Sequence, residues 1–198
     1  MRNDQSRMLF AYWDGLRAGR PAPDRTEIDP GSVAPILGDT FILEGQGAAA
    51  LPYRLAGSRV CAVFAREMKG VSFLDAFSAE GRRAVIRALA DANAAQAGLM
   101  LSLTGRNAAG HEVALEAVIL QLTHRGRLGA RMIGCLSAAE IPYWIGRDGI
   151  ISMDVVAVRL LWPSWQGAEG RQAVENAPVA AKFAVRPALR LIQGGNAA

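Results

Sequence analysis

Residues 53–77, YRLAGSRVCAVFAREMKGVSFLDAF, decide the fold that the sequence predicts. Residues 53–56 alternate as a half-buried strand does, and a Gly-Ser pair follows them. Apolar residues at helical spacing then predict a short helix that Gly70 ends. Ser72 is placed to cap a second short helix that carries Phe73 and Phe77. Two such helices against a strand make a wall for a small cavity.

The composition predicts one globular domain with extensions, or at most two small domains. The chain has 198 residues, of which 51% are hydrophobic and 20% charged. No apolar run reaches the roughly 18 residues of a membrane-spanning helix, and Asp14 interrupts the first apolar stretch before it resembles a signal peptide. We therefore expect a cytoplasmic protein. The net charge is +4, and the basic residues are spread along the chain. No aromatic residues interleave with Arg82, Arg83 and Arg87. Nucleic acid is therefore not an expected partner.

Residues 1–22 are predicted to hold an amphipathic helix, over 4–18, that Gly19 ends. Its apolar face could pack on its own domain or on the same helix of a second chain. The second alternative makes this face the predicted interface, with five apolar residues at helical spacing: Met8, Leu9, Tyr12, Trp13 and Leu16.

The middle of the chain predicts an α+β fold with an antiparallel sheet. Residues 40–43 and 53–56 read as the first two strands, and 78–97 as the longest helix. Three more strands, at 99–104, 112–122 and 127–137, follow with the short connections that antiparallel hairpins use. In the predicted strand at 112–122, the side chains on both faces are apolar towards the C-terminal end. The N-terminal helix is the expected cover for the second face.

The last third of the chain, residues 141–198, is predicted to be a C-terminal extension. Residues 150–162 are rich in β-branched residues and could form another strand. Residues 163–180 read as a loop or linker because of their prolines and glycines. Residues 182–193 could form a final extended segment.

The order of these elements resembles a PAS domain over residues 23–140, and in detail the stand-alone PAS-like proteins of alphaproteobacteria. The residues that carry the resemblance touch most of the chain: Tyr12-Trp13 with Leu16-Arg17, 23–30, 41–43, 53–60, 70–77 and 189–195. The resemblance implies a five-stranded antiparallel sheet with helices across one face. It also implies either sensing through a cavity between sheet and helices, or protein association through the outer sheet face. Flanking helices in such proteins often mediate dimers.

The sequence lacks the residues that bind the known cofactors of PAS-like proteins. Haem needs an axial ligand on a cavity wall, and the only histidines, His111 and His124, lie beside predicted hairpin turns. Flavin photoreceptors of this fold carry an asparagine-cysteine-arginine motif, and the residues around Cys61 lack it. Cys61 and Cys135 are far apart in apolar runs and predict buried, reduced thiols rather than a metal site. No cofactor is therefore predicted.

Three further patterns carry no predicted chemistry. Gly45-x-Gly47 resembles a dinucleotide fingerprint, but Pro52 prevents the helix that must open there. Arg127-x-x-x-Arg131 resembles half of the cyclic-di-GMP signature of PilZ domains without its partner motif, and a solvated edge is the preferred interpretation. Glu112 and Glu116 lie about 13 Å apart on a strand, farther than glycosidase carboxylates, and a solvated face is expected. We do not expect an enzyme.

Two functions remain for this sequence. The first is a small-molecule sensor without its own output domain, which binds an apolar metabolite and signals by protein contact. Its predicted cavity lining is Cys61, Phe64, Met68, Phe73, Leu101, Leu103, Leu115 and Met132. The second is a ligand-free interaction module that holds a signalling protein or a second copy of the chain. The size of the cavity separates the two.

Overall fold

The computed structural model describes residue 1, residues 3–45 and residues 50–163. This part of the chain contains three α-helices, six β-strands and three short 3-10 helices. The α-helices are α1 (Asp4–Arg17), α2 (Ser58–Phe64) and α3 (Ala79–Ala94). The strands are β1 (Thr40–Glu44), β2 (Tyr53–Ala56), β3 (Gly98–Asn107), β4 (Glu112–His124), β5 (Arg127–Ala138) and β6 (Ile150–Leu161). The 3-10 helices are Arg25–Glu27, Gly31–Asp39 and Phe73–Ala76.

All six strands form one antiparallel sheet in the order β2-β1-β5-β4-β3-β6. The α+β class with an antiparallel sheet is confirmed, but the predicted number of five strands is wrong. The sixth strand lies in the region predicted as a C-terminal extension and pairs with β3, for example Leu101 with Val158. It joins the sheet because its inward side chains are apolar. Ile150 and Met153 are buried in the core.

The sheet is apolar on both faces, and each face has its own cover. On the inner face, Leu115, Ala117 and Ile119 of β4 pack in a core that includes residues of α2 and α3. On the outer face, Val118 and Leu120 pack in a second core with residues of α1. The prediction that the N-terminal helix covers the second face is thus confirmed.

Helix α1 is tied to the sheet at both ends. At its start, the Asn3 side-chain amide donates hydrogen bonds to the Ser137 carbonyl (3.2 Å) and hydroxyl (2.7 Å) of β5. Near its end, the indole N–H of Trp13 donates to the Gln121 carbonyl of β4 at 2.7 Å. The guanidinium of the buried Arg17 lies 5.5 Å from the Trp13 ring, in cation–π contact. These contacts make α1 part of the folded domain.

The stretch 53–77 folds much as predicted, with α2 shorter than expected. Gly57 occupies the N-cap position of α2. The helix ends at Phe64, because Ala65 takes the left-handed conformation (φ 48°) that closes it before Gly70. Gly70, at φ +83°, instead turns the chain back so that its N–H donates to the Tyr53 carbonyl. The Ser72 hydroxyl accepts from the Leu74 N–H, which confirms the predicted cap.

One glycine is required where the first and fifth strands meet. Gly134 of β5 lies opposite Phe41 of β1. A Cβ at this position would collide with the Phe41 ring and with the Val118 carbonyl. The absence of a side chain lets the Phe41 ring lie flat across the sheet, where the inner core needs it.

Two predicted segments lie outside the described residues. The structure does not describe residues 182–193, which are predicted to form a final extended segment. Of the predicted loop at 163–180, it describes the first residue alone. Residues 46–49, which include Gly47 of the dinucleotide-like pattern, are likewise outside the described residues.

We predict that Trp13→Ala destabilises the fold by about 3–5 kcal/mol, the usual cost of removing a buried aromatic side chain. Trp13 is 1% exposed and bonds to the sheet. Denaturant unfolding followed by circular dichroism measures the loss. Met8→Ala, on the same helix at 44% exposure, is the control and should change stability by less than about 0.5 kcal/mol. Equal effects of the two variants would contradict the burial of α1.

Candidate functional site

The space between the short helices and the sheet is filled by aromatic rings. Phe73 lies 5.9 Å from Phe41, 6.1 Å from Tyr53 and 5.4 Å from Phe77, measured between ring centroids. Phe41 and Tyr53 meet edge to face at 5.5 Å. These rings occupy the region where the sequence placed a cavity.

The predicted lining residues are distributed over this core. Seven of the eight are buried and Cys61 is half-buried. Two of them border an opening: Met132 lies in a cleft beside α3, and Phe64 in a groove at the end of α2. The remaining ones pack against each other and against the aromatic rings. Their role as ligand-binding residues stays a prediction.

The Tyr53 hydroxyl is a polar atom inside this apolar core. It is fully buried and forms no hydrogen bond with any described residue. Burial raises the pKa of Tyr53 far above its usual value of 10.0, with a smaller contribution from nearby Cys61. The phenol is therefore neutral at neutral pH.

A cleft of about 240 Å³ lies between α3 and the inner face of the sheet. Ile86, Leu89 and Asn93 line it from α3, since spacings of three and four place them on one side of the helix. Met132 and Gln121 are cross-strand partners on β5 and β4 and line the opposite wall. The cleft is thus mainly apolar, with two amide side chains.

Gln121 is the polar feature that distinguishes this cleft. Its side chain is 6% exposed, and its Oε1 accepts no hydrogen bond within the described part of the chain. The inner positions of β4 before it are apolar, and end with Ala117 and Ile119. A buried amide oxygen without a donor is costly, so this position is suited to a ligand that carries an N–H or O–H group.

A second, larger groove of about 700 Å³ runs between the end of α2 and the loop before β6. Its rim carries Arg66 and Arg147 together with Asp75 and Asp148. The two charges of each sign balance, and all four side chains face solvent. Its lining also includes the buried Asn107, but the Asn107 Oδ1 already accepts a hydrogen bond from the His111 N–H at 2.9 Å.

The predicted interface on α1 is corrected for two of its five residues. Leu9 and Trp13 are 0% and 1% exposed, because they pack on the outer face of the sheet in their own chain. Tyr12 and Leu16 are partly buried, and the Tyr12 hydroxyl accepts from the Asp29 N–H at 2.8 Å. Only Met8 remains exposed.

The two glutamates of β4 differ in burial, because the start of α1 covers the outer face of the sheet near Glu116. Glu112 is exposed and bonds to Arg106 at 2.6 Å, as a solvated face predicts. Glu116 is 6% exposed, so the expectation that it is solvated is wrong. Its neighbour across the sheet, Ser137, bonds to Asn3 at the start of α1, which covers this part of the outer face.

No group of three or more metal-binding side chains occurs among the described residues.

Comparison with protein families assigns this architecture. A family model described as a PAS domain matches residues 1–137. The chain belongs to the PAS domain family. The match includes α1, which is therefore part of the PAS domain as the family model defines it, whereas β6 lies beyond its end. A search of the curated proteins found no match. No helix in the described part of this PAS domain is long and apolar enough to span a membrane.

Sequence reasoning missed the α3 cleft for a specific reason. Alternation along β4 showed which side chains face inwards, but not where the packing leaves a gap. One signal was present: Gln121 continues the inward-facing series of Leu115, Ala117 and Ile119 as its first polar member. A polar residue at the end of a buried apolar series marks either a partner or a ligand.

We predict that the two thiols of this PAS domain react at very different rates. Burial raises the pKa of the Cys135 thiol to about 12, and the nearby Asp39 carboxylate adds to the effect. Cys61 is half-buried at the surface of α2. A disulfide reagent at pH 8 should label one thiol in the native protein and two after unfolding. Cys61→Ser should abolish the native reaction, and rapid labelling of that variant would contradict the prediction.

Proposed function

We propose that this PAS domain is a regulatory module that binds a small, mainly apolar molecule in the α3 cleft. The observation that carries the proposal is the buried Gln121 Oε1, which has no donor among the described residues. PAS family membership supports a signalling or regulatory sensor. The proposal assigns no catalytic reaction to the chain.

The chemistry of the cleft limits the ligand. Its volume of about 240 Å³ is below the roughly 300–1,000 Å³ of sites for drug-sized molecules, so a small metabolite fits best. Ile86, Leu89 and Met132 favour an apolar body. A single N–H or O–H group on the ligand would donate to Gln121 Oε1, and this bond would offset the cost of the unpaired amide oxygen.

The proposed signal follows from the position of the cleft. One wall is α3 and the other is the sheet. A bound molecule therefore favours the arrangements in which the distance between α3 and the sheet matches the size of the molecule. Such a ligand shifts the population between arrangements by its difference in affinity for them. The changed surface would then be recognised by a partner protein. The location of the protein in the cytoplasm stays a prediction.

The filled aromatic core favours a second candidate, a ligand-free interaction module. Its contact surface would be the loop between β5 and β6, where Ile141 is 70% and Tyr143 87% exposed. Ile141 lines a groove of about 220 Å³ that also contains the Arg59–Asp39 ion pair. A signalling protein or a second copy of the chain would be held there.

We predict that freshly purified protein shows extra mass in native mass spectrometry, and that Gln121→Leu removes this mass. The variant keeps the volume of the side chain but loses the acceptor oxygen. Ligand-free Gln121→Leu should also be more stable than the ligand-free parent by about 1 kcal/mol, because an unpaired buried amide is gone. Denaturant unfolding of both proteins measures this difference.

Gln5→Leu on α1 is the matched control, since it makes the same chemical change outside the cleft. It should keep the extra mass and the parent stability. A bare mass in the parent protein together with a destabilised Gln121→Leu variant would contradict the ligand proposal. A dimer mass that Tyr143→Ser abolishes would then favour the interaction module.

A further inference from the structure

The hairpin between β4 and β5 collects positive charge in one place. A pocket of about 540 Å³ is lined there by His124, Arg125, Arg127 and Arg131. It opens at the opposite end of the β4–β5 pair from the start of α1. The solvated-edge interpretation of the two arginines at 127 and 131 did not predict a concave surface.

The turn itself fixes the geometry of this cluster. Arg125 and Gly126 both have positive φ, 52° and 74°, as in the two-residue turns that match the twist of a hairpin. His124 and Arg127 therefore lie directly opposite each other on neighbouring strands. The left-handed position that Arg125 occupies usually carries glycine or asparagine, so the sequence places a long cation where a small residue is favoured.

Counter-charge within the pocket is limited. Among the described residues, Glu44 is its one acidic lining residue, and it forms an ion pair with Arg131 at 2.8 Å. Nearby Asp24 accepts hydrogen bonds from Thr26 and Thr123. Within the described residues, neither Arg125 nor Arg127 forms an ion pair. Two exposed guanidinium groups are thus available beside a concave surface.

We propose that this pocket binds a small molecule that carries a phosphate or diphosphate group. The forked guanidinium donors of Arg125 and Arg127 match the oxygens of a phosphate, whereas Arg131 already pairs with Glu44. The volume suits a small anion. A nucleic acid is disfavoured because no phenylalanine, tyrosine or tryptophan lines the described pocket for bases to stack on.

The site is separate from the α3 cleft, although Gly45 borders both. The lining differs in chemistry, since the α3 cleft presents apolar side chains and two amides. The proposal therefore does not rest on the sensor function and can succeed or fail independently of it.

Arg125 and Arg127 lie two residues apart around one tight turn, and the repulsion between their like charges gives the test a distinctive sign. An anion relieves the repulsion, so pyrophosphate at 0.15 M salt should raise the melting temperature of the full chain. The double variant Arg125→Gln/Arg127→Gln should lose this shift. Its affinity in calorimetry should fall by about tenfold or more for each arginine removed. Without anion, the variant should melt at the parent temperature or above it.

Arg83→Gln/Arg87→Gln on α3 removes the same charge from another exposed surface and should keep the parent response to pyrophosphate. Equal losses in both double variants would overturn the proposal, because binding would then follow net charge alone. The absence of any shift at millimolar pyrophosphate would also overturn it. So would binding of a long acidic polymer without binding of pyrophosphate.

Discussion

The structure depends on one constraint, a central strand that is apolar on both sides. Strand β4 buries Leu115, Ala117 and Ile119 towards one core, and Val118 and Leu120 towards the other. A sheet with such a strand cannot leave either face in water. Two layers of cover are therefore obligatory, and α1 has to serve as the outer one although it lies far away in sequence.

Gln121 joins the two layers. Its carbonyl accepts the Trp13 indole N–H, which holds α1 on the outer face. Its side chain extends to the inner face and lines the cleft beside α3. A single residue of β4 thus belongs both to the attachment of the N-terminal helix and to the proposed ligand site. Because the backbone between these groups is part of a paired strand, the two sites share a rigid connection.

The sequence predicted the fold well where the pattern is local, and the site poorly. The cap at Ser72 and the alternation along β4 follow from neighbouring residues. The amphipathic face of α1 left two alternatives open, packing on its own domain or on a second chain, and Leu9 and Trp13 pack on the sheet of their own chain. β6 was missed as a member of the sheet because an eleven-residue connection separates it from β5. Cavities depend on how distant side chains pack, which alternation does not encode.

The anchoring of α1 has a consequence for how the chain folds. Trp13 bonds to residue 121 and Asn3 to residue 137, so both contacts close loops of more than a hundred residues. Closing such long loops costs chain entropy before the contacts can compensate it. α1 is synthesised early but cannot dock until β4 and β5 have paired. In the interval the outer face of the sheet is uncovered, and this apolar surface is where a nascent chain is most exposed to aggregation or to a chaperone.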